Sequence, residues 1–478
     1  MTTKIAILGA GPGGYTAAVK AAQMGADVTV IKKDQAGGTC LNRGCIPSKV
    51  MISTAELLRK MQKAGSYGIA LEGDVRADMP ALMERKNRIV NAQTDGILKL
   101  LNHHHVRYIR GEGVIRKNNL AAVRTNQDET HHAPWDKLII AAGTRPFELP
   151  ELPFDGERIL SSDHALNLQT VPESLLIVGG GVIGCEFAFL LSALGARVTI
   201  VEALSRMLPL PSVDEACSTT LQREMKKRKI RFMVDSTVAG AAEKDGKLNV
   251  EIRSSPSGGN GSGGKNDPVF QQVDKILDCI GRTPVTPDIE GLDALGVETD
   301  EKGWIQANEK LETGSPGVYA VGDILGPSKI MLAHAAWTEG MAAAQNAMGG
   351  EKSMDYDRVP GAIFTAPEVA NVGLTQTRAR EAGYGVRADS VLFRALGKAQ
   401  AIGDIAGEAK IISEIDTGRI LGVHIIGPHA TDLIAEAALA LKMKATVRDL
   451  AETIHAHPTL AEIMMEAAMK AMDQPLHG

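Results

Sequence analysis

The hydrophobic pattern of this chain repeats itself once. An apolar strand, Ile5 to Leu8, runs into Gly9-Ala10-Gly11-Pro12-Gly13-Gly14, then a helical stretch from Tyr15 to Met24 that Gly25 should stop, then a second apolar strand from Val28 to Ile31. The same succession returns as Leu175 to Val178, Gly179-Gly180-Gly181-Val182-Ile183-Gly184, a helix from Cys185 to Leu194, Gly195, and a strand from Val198 to Val201. In both copies the closing glycine lies eleven residues beyond the third motif glycine, the place for a left-handed C-terminal cap. Ser254 to Asp267, rich in Gly, Ser and Asn between two strand-like runs, predicts a solvent-exposed hairpin loop. The last third alternates strands and helices: Ala362 to Val372, Lys410 to Ile415, a turn at Asp416 to Arg419, Ile420 to Ile426, and a helix from Asp432 to Lys442. The fold class is α/β, with two Rossmann-like dinucleotide-binding units at its front.

A lone Gly-x-Gly-x-x-Gly is weak evidence, because any Gly-rich loop can produce it. Here each copy follows an apolar strand and opens a helix, so its glycines let the backbone approach a pyrophosphate and the helix N-terminus stabilises the charge. Two dinucleotides are expected, one over Gly9, Gly11 and Gly14 and one over Gly179, Gly181 and Gly184. Twenty-three positions after the first glycine of each copy, at the end of the second strand, an acid should accept hydrogen bonds from a ribose. The second copy has Glu202, whose carboxylate repels a 2′-phosphate and favours NAD over NADP. The first has Lys32, a departure that forfeits a charged hydrogen bond of about 1.5–3 kcal/mol.

The 478 residues make room for three or four domains, yet contain only five cysteines. Two of these, Cys40 and Cys45, sit five apart just after the first nucleotide unit. So small a ring costs little loop entropy, and its bridge can open and reform. A staple would gain more from a long loop, a zinc site would need a second ligand pair, and Cys185, Cys217 and Cys279 show no pairing rhythm. The pair reads as a redox disulfide wired to a nucleotide, passing electrons between two dinucleotides. A net charge of -5 gives no footprint for nucleic acid or anionic lipid, and no apolar run reaches membrane-spanning length. The chain reads as cytoplasmic, where a close cysteine pair is catalytic more often than structural. His103 to His105 and His131-His132 lack a carboxylate or thiol pattern and read as solvated loop residues, with no metal expected.

Further motifs stand at Ala141 to Pro146, Ile280 to Pro284, Val318 to Asp323, Leu332 to His334 with Glu339-Gly340, and His455 to Glu462. With Cys40 and Cys45 they make the chain resemble, over nearly its whole length, the dihydrolipoamide dehydrogenases among the pyridine nucleotide-disulfide oxidoreductases. The resemblance implies an FAD-binding domain at 1–148, an NAD-binding domain at 149–276, a central domain at 277–350 completing the FAD site, and an α+β C-terminal dimerisation domain at 351–478 that makes a homodimer. It implies oxidation of dihydrolipoamide to lipoamide with FAD and NAD as cofactors. The substrate would be carried on a lipoyl domain of an acyltransferase or carrier protein, in 2-oxo acid dehydrogenase or glycine cleavage complexes.

Residue by residue, the resemblance makes Cys40 the sulfur that exchanges with substrate and Cys45 the sulfur against the flavin. Lys49 would sit near the isoalloxazine with Glu186 as its partner on the nicotinamide side; alone, they read as a solvated helix residue and a helix-dipole partner. FAD would be held by Gly9, Gly11, Gly14, Lys32, Gly38, Thr39, Lys49, Gly113, Gly143 and Asp323, with Met331, Leu332, Ala333 and His334 opening a helix whose amide end faces the flavin. NAD would be held by Gly179, Gly181, Gly184, Glu186, Glu202 and Gly281. His457 would be the base and Glu462 its orienting acid. Thr459 to Glu462 also reads as a capping box, and His455 is the nearest rival base. More than 400 residues separate Cys45 from His457, and the resemblance has them meet across a dimer interface. The alternatives are another NAD(P)H-linked disulfide reductase, such as one acting on glutathione, and a flavin-poor structural subunit.

Overall fold

The computed structural model describes residues 2–116, 120–124, 130–255 and 267–477. The chain forms two compact units: residues 1–53, 78–147 and 281–356 make unit 1, and residues 54–77, 148–280 and 357–478 make unit 2. Segments expected as an FAD domain and a central domain therefore fall in one unit, while residues 54–77 cluster with the other.

Unit 1 is centred on a five-stranded parallel sheet in the order Val318–Ala320, Lys137–Ile140, Lys4–Leu8, Asp27–Lys32, Arg107–Arg110. Ile5, Ala6, Ile7, Leu138, Ile139 and Ile140 are all buried, as strands covered on both faces require. The helix Pro12–Gln23 starts three residues before the expected Tyr15, because a proline's fixed φ and missing N–H suit a first turn. It ends at Met24, and Gly25 takes the left-handed φ of +88°. This helix crosses Ala333–Ala347 at backbone contact, since a Cβ added to Gly340 would lie 2.2 Å from the Gly13 carbonyl oxygen. A three-stranded antiparallel sheet, Glu112–Arg116, Leu120–Arg124 and Thr130–Pro134, and a short ribbon pairing Thr144–Pro146 with Arg282–Pro284 complete the unit's strands.

Unit 2 repeats the parallel motif in the order Arg231–Met233, Arg197–Val201, Ser174–Val178, Lys275–Asp278, Ile159–Leu160. Its helix Val182–Ala193 ends before Gly195, at φ +115°. A three-stranded antiparallel sheet contains the neighbours Lys247–Ser254 and Val269–Val273, which flank the expected hairpin loop; residues 256–266 of that loop lie outside the described residues. The C-terminal part is a five-stranded antiparallel sheet, Gly361–Ile363, Glu368–Gly373, Ile420–Gly427, Glu408–Glu414, Val386–Leu392, backed by Ala430–Met443 and Glu462–Ala471.

Two expectations need correction. The run from Ala362 to Val372 is a hairpin of two strands: Pro367 has no N–H for a ladder, and the Thr365 hydroxyl closes the turn on the Pro367 carbonyl at 2.7 Å. The histidine runs are only partly loop: His104 and His105 lie in the turn after a helix, and the others belong to regular elements. His103 ends the helix Met79–His103, whose buried Leu82, Met83, Val90 and Leu101 sustain it to that point, and His131 and His132 lie on a strand. Among the described residues no three His, Cys, Asp or Glu side chains gather as a metal site, and no helix is long and apolar enough to cross a membrane.

Candidate active site

In unit 1 the dithiol is built directly onto the first glycine loop. Gly9 has φ +110°, and a Cβ there would lie 2.1 Å from the Ala141 carbonyl oxygen, so only glycine fits between the loop and the neighbouring strand end. Gly14 abuts Gly9 and Gly11 caps the helix Pro12–Gln23 without any side-chain bond or acidic residue in its first turn, which leaves the amide end suited to an anion. Gly37 donates its N–H to the Ala10 carbonyl at 2.7 Å, and Gly38 rests on Gly11, where an added Cβ would come within 2.6 Å of the Gly11 Cα. Gly38 opens the short helix Gly38–Arg43 that carries Thr39 and Cys40, and Gly44 breaks it, so that Cys45 begins a new helix, Cys45–Gln62.

The two sulfurs therefore occupy different backbone settings. Cys45 is exposed at a helix N-terminus, where the dipole favours a thiolate. Cys40 is half-buried, and its hydrogen bond with Cys45, reinforced by burial, pushes its thiol pKa up against the opposing charge of Lys49. Lys49 lies one turn along the Cys45–Gln62 helix.

The rest of the expected flavin set shares unit 1. Gly113 packs on Leu8 and Ile31, where a Cβ would lie 2.5 Å from the Leu8 side chain. Gly143 takes φ +77° ahead of the Thr144–Pro146 ribbon, and Lys32 ends the Asp27–Lys32 strand. Asp323 follows the Val318–Ala320 strand in the turn Gly322–Leu325; burial raises its pKa, while the Arg282 charge and the Thr144 hydroxyl, 3.4 Å away, pull it back. Met331 and Leu332 lead into Ala333 and His334, the first residues of Ala333–Ala347, whose N-terminus has no side-chain cap and no acid.

Four residues given no role by sequence reasoning support this turn. Glu339 is buried and accepts from the Gly322 N–H at 2.6 Å and from the Tyr356 hydroxyl at 2.8 Å, which fixes the backbone that presents Asp323. Arg282 donates through Nε to the Thr144 hydroxyl at 2.7 Å. Thr144, Arg282 and Glu339 lie inside recognisable motifs, but their partners are 138 residues away for the Arg282 contact and 17 for the Glu339 contacts, and spacing carries no signal for them.

Unit 2 holds the second loop. Gly179 lies at φ +100° against the Cys279 carbonyl, Gly184 abuts Gly179, and Gly181 caps Val182–Ala193 with no side-chain bond. Glu202 is buried; its Oε2 accepts from the Gly180 N–H at 2.6 Å and its Oε1 from the Leu204 N–H at 2.8 Å. Arg206, the one cation close in sequence, is spent on structure: it donates to the Ser218 hydroxyl at 2.5 Å and to the carbonyls of Leu210 and Val213 at 3.1 and 3.0 Å. Glu186 is buried and accepts from the Phe364 N–H at 2.9 Å. Gly281, expected with the NAD set, belongs to unit 1, where its carbonyl accepts from Phe147 at 3.1 Å.

His457 and Glu462 also belong to unit 2. His457 Nδ1 lies 2.8 Å from Glu462 Oε1, and Glu462 Oε2 accepts from the Thr459 N–H at 2.9 Å. Burial works against it, but the Thr459 amide and His457 hold the Glu462 carboxyl below the usual range. One half of the expected capping box is thus present; the other is not, because the Thr459 hydroxyl donates to the Ala456 carbonyl at 2.7 Å and the helix is capped at Ala461. His455 is occupied on both ring nitrogens, by the Thr453 carbonyl at 2.8 Å and Glu436 at 2.9 Å, and its side chain is 5% exposed against 76% for His457.

The family model described as pyridine nucleotide-disulphide oxidoreductase matches residues 3–340. The chain belongs to that family. The dimerisation-domain model of the same pyridine nucleotide-disulphide oxidoreductases matches residues 359–468 and supports a homodimer. The chain is similar to the dihydrolipoyl dehydrogenase of Chlamydia trachomatis serovar D, at 40% identity over 98% of this chain and 97% of that protein. It is also similar to the mitochondrial dihydrolipoyl dehydrogenase of Pisum sativum, at 39% over 99% and 92%. Among solved structures, LpdA from Mycobacterium tuberculosis superposes with a TM-score of 0.89 at 28% identity, covering 98% of this chain and 99% of that one. As a member of this family the protein is an FAD-dependent, NAD-linked oxidoreductase. Its residues fit both groups: the first and third glycine of each loop leave no room for a side chain, and each loop ends on a helix N-terminus without a side-chain cap.

Proposed function

We propose that this protein oxidises dihydrolipoamide to lipoamide and reduces NAD+ to NADH, as a component of a lipoyl-bearing complex in the cytoplasm. The observation that carries the reading is the seating of the Cys40 and Cys45 turn on the first glycine loop through Gly38 and Gly11, in a chain 40% identical over nearly its full length to a dihydrolipoyl dehydrogenase. His457 is the base. Glu462 keeps the proton on Nδ1, which leaves Nε2 to take one from a substrate thiol. The resulting thiolate attacks Cys40 Sγ of the Cys40–Cys45 disulfide; the S–S bond breaks and Cys45 leaves as a thiolate. The second substrate thiol then attacks the substrate sulfur of the mixed disulfide, releasing lipoamide and returning Cys40 to the thiol.

When bound, FAD would supply the two-electron relay between this dithiol and NAD+. Asp323 and the Gly9 loop would hold that flavin, with Lys49 beside it and the Ala333 amide end facing it. Glu202 and the Gly179 loop would hold NAD+, and the commitment of Arg206 to Ser218, Leu210 and Val213 supports NAD over NADP, since that guanidinium is held away from a 2′-phosphate. The test is a dihydrolipoamide-dependent assay of NADH formation beside NADP+ and glutathione controls. Turnover with NAD+ and dihydrolipoamide alone is the expected result, and equal or faster turnover with the controls refutes it.

A further inference from the structure

The two nucleotide loops of this one chain differ at their ribose end. In the second, Glu202 accepts two backbone N–H groups and presents a carboxylate. In the first, the same place is held by Lys32, which can only donate. Its neighbours do not neutralise it. The two nearby carboxylates are committed elsewhere, Asp34 to Arg43 at 2.9 Å and Glu112 to Lys33 at 3.0 Å. Lys32 feels Asp34, but also the positive charges of Arg43 and Lys33, and Arg110 is its register neighbour on the adjacent strand. Lys32 thus sits among Lys33, Arg43 and the register neighbour Arg110, with Asp34 as the anion that acts on it and Asp288 acting on Lys33. The half-buried ammonium is partly stripped of water, and burial holds its pKa below the usual lysine range.

We infer that Lys32 makes the ribose end of the first nucleotide site select adenosine nucleotides with a phosphorylated ribose over those with a free diol. FAD is then held there by the loop, the helix end and Asp323 without a charge-assisted ribose contact. This rests on the first loop being the flavin site. A phosphate dianion would give the desolvated ammonium a direct charge-assisted bond beyond its distant attraction to Asp34, and a bond of that kind is worth roughly tenfold to hundredfold in affinity. A diol offers the ammonium only neutral oxygens.

The test uses the full-length protein stripped of flavin, titrated with FAD by flavin fluorescence in the presence of 5′-ADP or 2′,5′-ADP. With the wild type, 2′,5′-ADP should displace FAD at a concentration about tenfold or more below that of 5′-ADP, and the gap should narrow as salt is raised. Lys32→Glu should reverse the order of the two competitors and bind FAD about tenfold or more tightly, and Lys32→Met should remove the preference without reversing it. Equal competition in the wild type, or the wild-type order persisting in Lys32→Glu and Lys32→Met, overturns the inference. Failure of the wild type and both variants to take up FAD would overturn the proposed function itself, and this inference with it.

Discussion

Replacing Glu462 by Gln tests the base assignment with little change of shape. Glu462 serves two donors at once, His457 Nδ1–H at 2.8 Å through Oε1 and the Thr459 N–H at 2.9 Å through Oε2. Glutamine has a single acceptor oxygen, so one of the two donors must go unmet. If the loss falls on His457, a hydrogen bond to a charged group worth about 1.5–3 kcal/mol disappears, and proton abstraction from the dithiol should slow roughly tenfold to hundredfold. The Thr459 amide and His457 hold Glu462 below the usual carboxylate range, so its acceptor oxygens are lost to protonation only as pH falls through that lowered value. Steady-state dihydrolipoamide oxidation should be compared with NADH-driven reduction of ferricyanide, which needs no proton taken from a dithiol. Loss of the first with retention of the second is expected. Wild-type dithiol turnover in Glu462→Gln, or equal losses in both reactions, would refute the reasoning.

Mixing Cys40→Ser subunits with His457→Ala subunits should restore activity if the thiols of one chain work with the histidine of the other; activity that stays at the level of the separate variants rules out sharing. Glu339→Ala leaves the Gly322 N–H and the Tyr356 hydroxyl without their acceptor, at about 1–3 kcal/mol per group, and Tyr356→Phe removes only one of the two bonds. The ratio of bound FAD to protein should fall more in Glu339→Ala than in Tyr356→Phe, and full retention in both would contradict the bracing role. Asp214 is buried 3.0 Å from Lys410 Nζ; burial opposes it, but the Ala216 amide and Lys410 hold its carboxyl below the usual range. A depressed folded pKa stabilises above the unfolded value, and that stability is lost as pH falls through the folded one. Asp214→Asn should therefore cost about 3–5 kcal/mol in urea unfolding at pH 7, with a gap to wild type that closes on acidification; a gap independent of pH would count against it.

The repeated nucleotide unit was legible because everything that builds it is local. Strand, glycine loop, helix and stop lie within about 25 residues, and the backbone at Gly9 and Gly179 excludes side chains in the same way in both copies. Cys40 and Cys45 were legible for the same reason. Local spacing failed where one residue satisfies partners on both sides of a motif: Glu462 looked like either a capping-box acid or a histidine's partner, and it bonds both Thr459 and His457. It also failed at the strand of 362–372, where a single proline turns a continuous apolar run into a hairpin. The Glu339, Tyr356 and Gly322 brace was invisible because it joins a helix, a turn and a later segment that become neighbours only in the folded unit. Lys32 was visible as a departure from the ribose rule, but the pairing of Asp34 with Arg43 and of Glu112 with Lys33 required the fold.

The central claim is that reducing equivalents pass through Cys40 and Cys45, and differential alkylation with peptide mapping tests it most directly. The oxidised, flavin-loaded protein is exposed anaerobically to NADH or to dihydrolipoamide and then to iodoacetamide. Both reductants should expose new alkylation at Cys40 and Cys45 and at no other cysteine. Labelling that is unchanged by either reductant, or that appears instead at Cys185, Cys217 or Cys279, would contradict the account.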